Sequence, residues 1–416
     1  METKIFRGVL KIAITSCGLW HVQRGIETWA GTLAETLKEY ERNVTLFCGS
    51  RRKDTGQHVV SGNQYSVDNR KPETVVIPCL CRGMISNRLL TGIFSRLGGW
   101  RYGFGSEYQT EQTTMALHLI RTLRKGSFDI VHLQDPWLAL LLERAWQNGK
   151  HGAKVILAHG TEESVEFLDR FNHIQELSPY YMDRHNGRIG AAQTRHSIPN
   201  FVNTAVFKPA DKNYCRKAFK LPEESFIVLS VGAVNHKHKQ MRCLIDEFAM
   251  AGRENGLLVI AGSCDGESGF DLVAYANKLL GKRFRYFGDI NHSEMPKLYS
   301  SADLFVLCSR SEIFGIAFLE AMASGIPCIG HKYPVTEWII GDGGSCIDMT
   351  VKGEVEKEIR RYLDPDIRQH AGALARKRTV EMFSSAAVTK QIIAMYESII
   401  EKKDELQQPM TVDRVR

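Results

Sequence analysis

The chain contains no apolar run approaching the ~20 residues that a bilayer-spanning helix takes, which excludes an ordinary transmembrane segment. Its first apolar stretch, Gly8 to Thr15, is interrupted by Lys11 and followed by no small-residue cleavage site, so it reads as a first strand and not a signal peptide. No C-x2-C pair occurs. The ten cysteines are scattered, and several (Cys17, Cys48, Cys308, Cys328) sit inside apolar stretches. The one close pair, Cys79 and Cys81, lacks both the spacing and the partnering histidines of a zinc site. Dispersed thiols without a disulfide framework suit a reducing compartment, and the expected location is cytoplasmic. No G-x-G-x-x-G follows the first strand, which argues against a dehydrogenase. Low-complexity tracts, short repeats and nucleic-acid motifs are also missing.

Acid is absent from one long stretch. Thr74 to Ser106 holds Arg82, Arg88, Arg96 and Arg101, interleaved with Phe94, Trp100, Tyr102 and Phe104. That mix over 82–104 suits an anionic acceptor or the inner face of a membrane; its plainer reading is a solvated loop over an apolar helix. Residues 1–200 carry +6 of the net +7.

What is present is a regular alternation. A chain of 416 residues is too long for one ordinary core and reads as two domains of roughly 200 residues. Short strands rich in Val, Ile, Leu or Phe are expected at 9–15, 43–48, 128–133, 153–158, 226–231, 257–261, 284–287, 302–308 and 327–330. Helical stretches lie between them, at 27–40, 111–125, 239–251 and 292–301. Strands buried on both faces and separated by helices specify α/β architecture with two doubly wound, Rossmann-like domains. The boundary falls in Ile198–Pro209, giving an N-terminal domain 1–200, a C-terminal domain 201–383 and a final helical segment 384–416 with a polar tail.

The most informative stretch is Ser309–Pro327, after the strand that ends at Cys308. Glu312 and Glu320 are separated by seven residues. Phe314-Gly315 marks a helix entry and Gly325-Ile326-Pro327 an exit. Glu312 is expected in the loop and Glu320 in the first turns, with unpaired N–H groups of a helix start between them. Two carboxylates flanking an anion cradle suit a ligand with sugar, diphosphate and ribose parts. The strand, the Phe-Gly step and the trailing Glu-Ala-Met-Ala-x-Gly-x-Pro resemble the E-x7-E signature of family-4 type retaining glycosyltransferases with the GT-B fold.

That resemblance implies two Rossmann-like domains facing a cleft, the first holding an acceptor and the second a nucleotide-sugar, with the last helix crossing back to the first domain. It implies that Glu312, with the N–H groups of Phe314 and Gly315, holds the donor sugar, that Ile316 is donor-binding too, and that Glu320 takes the ribose diol. Lys239 matches the diphosphate-binding lysine. The family's Arg is Ala233 here, and His236, Lys237 and His238 make that loop unusually basic. Arg24-Gly25 resembles the glycine loop near the donor phosphate, with Arg24 in place of its first Gly. Gly288 begins the loop near the nucleobase. His159 resembles the active-site His of a His-Gly step, while His132, Asp135 and Trp137 are candidates for the acceptor side. Phe201 replaces the linker's Gly, and 38 residues between His159 and Ile198 are about one helix short of the family layout.

No Asp-x-Asp ends a strand; Asp364-Pro365-Asp366 reads as a turn, so no metal and no cofactor is expected beyond a donor of UDP or GDP type. The expected activity is transfer of a hexosyl unit to a hydroxyl of a glycan, a lipid-linked or a small-molecule acceptor. Alternatives are a nucleotide-sugar epimerase on the same scaffold, or a non-catalytic nucleotide-sugar-binding subunit.

Overall fold

In a computed structural model, the residues described are 10–19, 21–22, 25–50, 71–147, 152–185, 193–236, 238–252, 255–264, 266–288 and 290–407, with side chains to 401. The chain divides into two compact units, Met1–Pro199 with Val388–Arg416, and Asn200–Ala387.

The first unit is built on β1 (Lys11–Ser16), β2 (Asn43–Ser50), β3 (Glu73–Pro78), β4 (Ile130–Leu133), β5 (Lys154–His159), β6 (His173–Glu176) and β7 (Thr194–Ser197). They form one sheet in the order β3-β2-β1-β4-β5-β6-β7, and every neighbouring pair is parallel. Parallel neighbours need crossover connections, which explains the intervening helices. Helix α1 (Gly25–Glu39) buries Trp29, Ala30, Leu33, Ala34 and Leu37, a 3.6-residue stripe. Helix α2 (Ile85–Ser95) follows β3. Helix α3 (Glu107–Gly126) starts at Ser106, whose hydroxyl accepts from the Gln109 N–H, and buries Met115, Leu119 and Leu123. The final helix, Ser385–Gln407, contributes buried Val388, Ile392, Met395, Tyr396 and Ile399.

The second unit repeats the plan with β8 (Phe226–Val231), β9 (Gly256–Ala261), β10 (Phe284–Phe287), β11 (Leu304–Leu307), β12 (Cys328–His331) and β13 (Gly344–Ile347). The parallel order is β10-β9-β8-β11-β12-β13. Its core joins Val228, Leu258, Val306 and Ile329 of the strands to Leu244, Ile245 and Phe248 of the helix Met241–Met250. The expected α/β doubly wound architecture is the one observed.

Four strands were not expected: β3, β6, β7 and β13. Their sequences (ETVVIP, HIQE, TRHS, GSCI) are polar or mixed, so hydrophobic patterning misses them. The segment 74–106 is also more ordered than a loop, since it holds most of β3, all of α2 and a 3-10 turn at Gly99–Tyr102. Asp364 corrects another reading. Its carboxylate accepts from the N–H groups of Asp366 and Ile367, capping the helix Pro365–Met382. Phe201 adopts no positive φ; it is buried, and the next residue, Val202, forms a parallel bridge with Ser384.

In each sheet the strand order reverses once, between β1 and β4 and between β8 and β11. Such switch points, at the carboxyl ends of the strands, are where open α/β sheets bind ligands.

Candidate active site

The second switch point is flanked by the loops after β8 and β11. The first of these opens with Gly232 at φ +151; Gly262, just past β9, lies so close that a Cβ there would meet the Gly232 carbonyl oxygen at 2.2 Å. Glycine is required for that backbone contact. Asn235 then folds the loop back, its Oδ1 accepting from the His238 and Lys239 N–H groups at 2.9 Å each. This Asx-type turn aims Lys239 across the switch point. Its Nζ lies 2.5 Å from Glu312 Oε1, both side chains being mostly buried at 23% and 16% exposure. A cation from one loop and a carboxylate from the other therefore meet where a ligand would sit.

Beyond Glu312, Gly315 has φ +79 and starts the helix Ile316–Ala323, whose first N–H groups receive no side-chain cap. A Cβ at Gly315 would also approach Phe318 to 3.0 Å. Helix N–H groups left without a partner, with the dipole behind them, favour an anion. Glu320 follows one turn on. The Tyr299 hydroxyl donates to Glu320 Oε2 at 2.7 Å, while Oε1 lies 3.8 Å from His292 Nε2. Glu320 holds the His292 imidazole above its ordinary value; burial, then Glu320, pushes the Tyr299 phenol up. One oxygen of Glu320 is thus fixed and the other is turned toward the more exposed His292.

In the first unit, His159 ends β5 at 2% exposure, with Nδ1 2.8 Å from Glu176 Oε2 of β6. Glu176 Oε1 takes His185 Nδ1 at 3.1 Å and Arg195 at 2.5 Å. Burial would raise the Glu176 carboxyl; hydrogen bonds from His159, His185 and Arg195 outweigh it and hold it at about 2. This clamp fixes the ring of His159, and its Nε2 has no hydrogen-bond partner among the described residues.

Residues 211–378 match the family model described as "Glycosyl transferases group 1". The second unit therefore carries a group 1 glycosyl transferase domain. The chain is 25% identical over 260 residues to N-acetyl-alpha-D-glucosaminyl L-malate synthase of Bacillus anthracis, covering 60% of this chain and 67% of that one. Among solved structures, sucrose-phosphate synthase from Thermosynechococcus elongatus aligns with a TM-score of 0.74 at 19% identity, covering 94% of this chain and all of that one. HepE of Anabaena in complex with UDP-glucose gives 0.70 at 15%, with the same coverage. These likenesses show the GT-B fold.

Of the other site candidates in this glycosyltransferase, Gly25 is the exposed first residue of α1, Ile316 the first of its helix, and Gly288 follows β10. Phe314 is a core residue, its ring against Trp338 and Phe383, so only its backbone is available to a ligand. Arg24 and Lys237 lie outside the described residues.

The acceptor-side candidates are held in the first unit's own hydrogen-bond network. Asp135 is fully buried, accepting from the Cys17 N–H at 2.9 Å and the Tyr108 hydroxyl at 2.7 Å. It fastens the loops after β1 and β4 together. Trp137 donates its indole N–H to Thr113 at 2.9 Å, and His132 is buried against the Tyr396 hydroxyl, burial holding it down at about 3. Cys79 and Cys81 do have a histidine at hand, His21, brought by the fold from 58 positions before the first of them.

Sequence reasoning missed Asn235, Tyr299, His292 and Glu176 as site-forming residues. Asn235 carried a usable signal, an Asx residue three and four positions before the amides it binds. Glu176 and Tyr299 reach their partners through tertiary packing, which no local pattern records.

Proposed function

We propose that this glycosyltransferase moves a hexosyl unit from a nucleotide-diphospho-sugar of UDP or GDP type to an acceptor hydroxyl, with retention at the anomeric carbon and without a metal in the transfer step. One observation carries the reading: Lys239 and Glu312 pair at 2.5 Å across the second switch point, beside an uncapped helix start. On donor binding the ammonium turns to the diphosphate and Glu312, with the helix N–H groups, to the sugar. The anomeric C–O bond to the diphosphate breaks as the acceptor oxygen bonds to the same face. The leaving phosphate oxygen takes the acceptor proton, and a glycoside and a nucleoside diphosphate result. Charge gathers on that diphosphate as the bond breaks, so Lys239 stabilises the transition state more than the ground state. Glu320 Oε1 accepts from the ribose diol while Tyr299 holds Oε2. His159, oriented by Glu176, presents Nε2 to a substrate hydroxyl.

The acceptor carries its hydroxyl on a glycan, a lipid or a small molecule, and the charged, apolar segment 82–104 favours one at an anionic membrane surface. Helix α2 is turned inside out. Its polar Asn87 is buried, donating to the Leu80 and Glu107 carbonyls, and Thr91 bonds Thr110. Ile85, Leu89, Ile93 and, just past its end, Leu97 are 76%, 63%, 58% and 75% exposed. Arg88, Arg96 and Arg101 are exposed beside them. No helix among the described residues is long and apolar enough to cross a membrane, so the contact is peripheral.

The deciding experiment incubates the purified chain with UDP- and GDP-sugars and a panel of acceptors, then assigns the product's anomeric configuration by NMR. A product with the donor's configuration, formed without added divalent cation, supports the reading. An inverted product, or turnover only after Mg²⁺ or Mn²⁺ is added, overturns it.

A further inference from the structure

We propose that His21, Cys81 and Glu111 form a site for a soft divalent cation, zinc in class, in the first unit. The residues come from the loops after β1 and β3 and from α3. Their ligand atoms, His21 Nε2, Cys81 Sγ and a Glu111 oxygen, all lie within 4.8 Å of one another. Zinc bonds of about 2.0–2.3 Å in tetrahedral geometry require donor-to-donor edges of about 3.3–3.8 Å. The His21–Glu111 edge, 2.6 Å with a hydrogen bond in place, has to open slightly. Cys79 Sγ, 3.7 Å from Cys81 Sγ, lies outside this group of three, so the fourth tetrahedral position is open to a water or substrate donor.

The surroundings are those of a ligand set held from behind. Glu111 Oε2 accepts from Arg82 Nε at 2.5 Å, and Oε1 accepts from the Arg82 backbone N–H at 2.9 Å, which fixes the carboxylate plane. Such outer hydrogen bonds orient metal ligands. Glu111 is fully buried and Cys81 nearly so, whereas the His21 side chain is 24% exposed, which leaves an entry route. Thiolate, imidazole and carboxylate together suit zinc better than magnesium or calcium, which prefer oxygen alone. The other histidine–carboxylate group, His159, Glu176 and His185, differs: it contains no thiol and all three residues are buried.

This site goes beyond the donor reading and is independent of it, since it lies in the first unit and has its own readout. The full chain, stripped with a chelator and dialysed, is titrated with Co²⁺ and then Zn²⁺. One equivalent of Co²⁺ giving thiolate charge-transfer absorption and tetrahedral d–d bands, displaced by Zn²⁺, is expected. Cys81→Ser is expected to lose the charge-transfer band and His21→Ala to weaken Zn²⁺ binding at least tenfold, against a chromophoric chelator. Cys264→Ser, a thiol of the second unit, should titrate like wild type. Circular dichroism of each metal-free variant separates lost ligation from lost folding. Binding below half an equivalent in the wild type, or an unchanged cobalt spectrum in folded Cys81→Ser, overturns the proposal.

Discussion

Three carboxylates with different surroundings make different promises at the level of single residues. Glu312 pairs with Lys239 through one oxygen, so Glu312→Gln keeps shape and removes charge. We expect kcat to fall by about 10²–10³, the usual cost of removing one transition-state contact, with the thermal midpoint little changed; turnover near wild type would sink the assignment. Glu320 faces a binding role. Removing a charge-assisted contact costs about 1.5–3 kcal/mol, so Glu320→Ala should raise the donor KM by about ten- to a hundredfold, measured by initial rates. Glu176 is structural as well as orienting. Its carboxyl is held at about 2 against an ordinary 4.5. A depressed value stabilises the fold above the ordinary value, and that contribution drains away as pH falls from about 4.5 to about 2. Glu176→Gln, which leaves Arg195 unpaired, should cost about 3–5 kcal/mol at neutral pH and flatten the acid limb of the stability curve. Denaturant midpoints between pH 6 and 3 test this, and parallel curves for the two proteins would refute it.

Among elements, α2 is the one whose sequence and placement disagree with ordinary globular practice. An amphipathic helix normally buries its apolar stripe, yet here Asn87 and Thr91 face inward and Ile85, Leu89 and Ile93 outward. The hydrogen bonds of Asn87 to two carbonyls determine that choice, because burying an amide is tolerable only when it is satisfied. We expect the chain to sediment with vesicles containing anionic phosphatidylglycerol and far less with pure phosphatidylcholine. Leu89→Glu with Ile93→Glu should reduce binding at least tenfold. Equal binding to both vesicle types, or no effect of the double substitution, would count against a membrane face. The helix Ile316–Ala323 shows the opposite case, an element whose start was readable. Gly315 was visible as a helix entry because no other residue takes φ +79 with Phe318 so near.

Considered as a whole, the molecule has two sheets, each with one switch point, and a nucleotide should protect only one of them. A ligand at 100 times its Kd adds about 2.7 kcal/mol of stability. We expect UDP or GDP at that level to slow hydrogen exchange at 232–240 and 308–323 and to leave β5 and β6 unchanged; protection confined to the first unit would reverse the assignment of the donor side. Much of this was legible without coordinates. Apolar strands such as Phe226–Val231 and the glycine-punctuated Glu312–Pro327 stretch declare themselves locally, because backbone conformation and periodicity are properties of neighbouring residues. The polar strands β6 and β7 were not, since Glu176, His159, His185 and Arg195 satisfy one another over sequence separations that no window spans. The sequence alone determined the α/β alternation, the resemblance to a glycosyltransferase family and the positions of Glu312, Glu320 and Lys239. Only tertiary structure decided that Lys239 meets Glu312, that Asp135 is a fastener, that α2 turns its apolar face out, and that His21 and Glu111 join Cys81. Those outcomes depend on which distant groups satisfy a buried charge or amide, and that is set by packing.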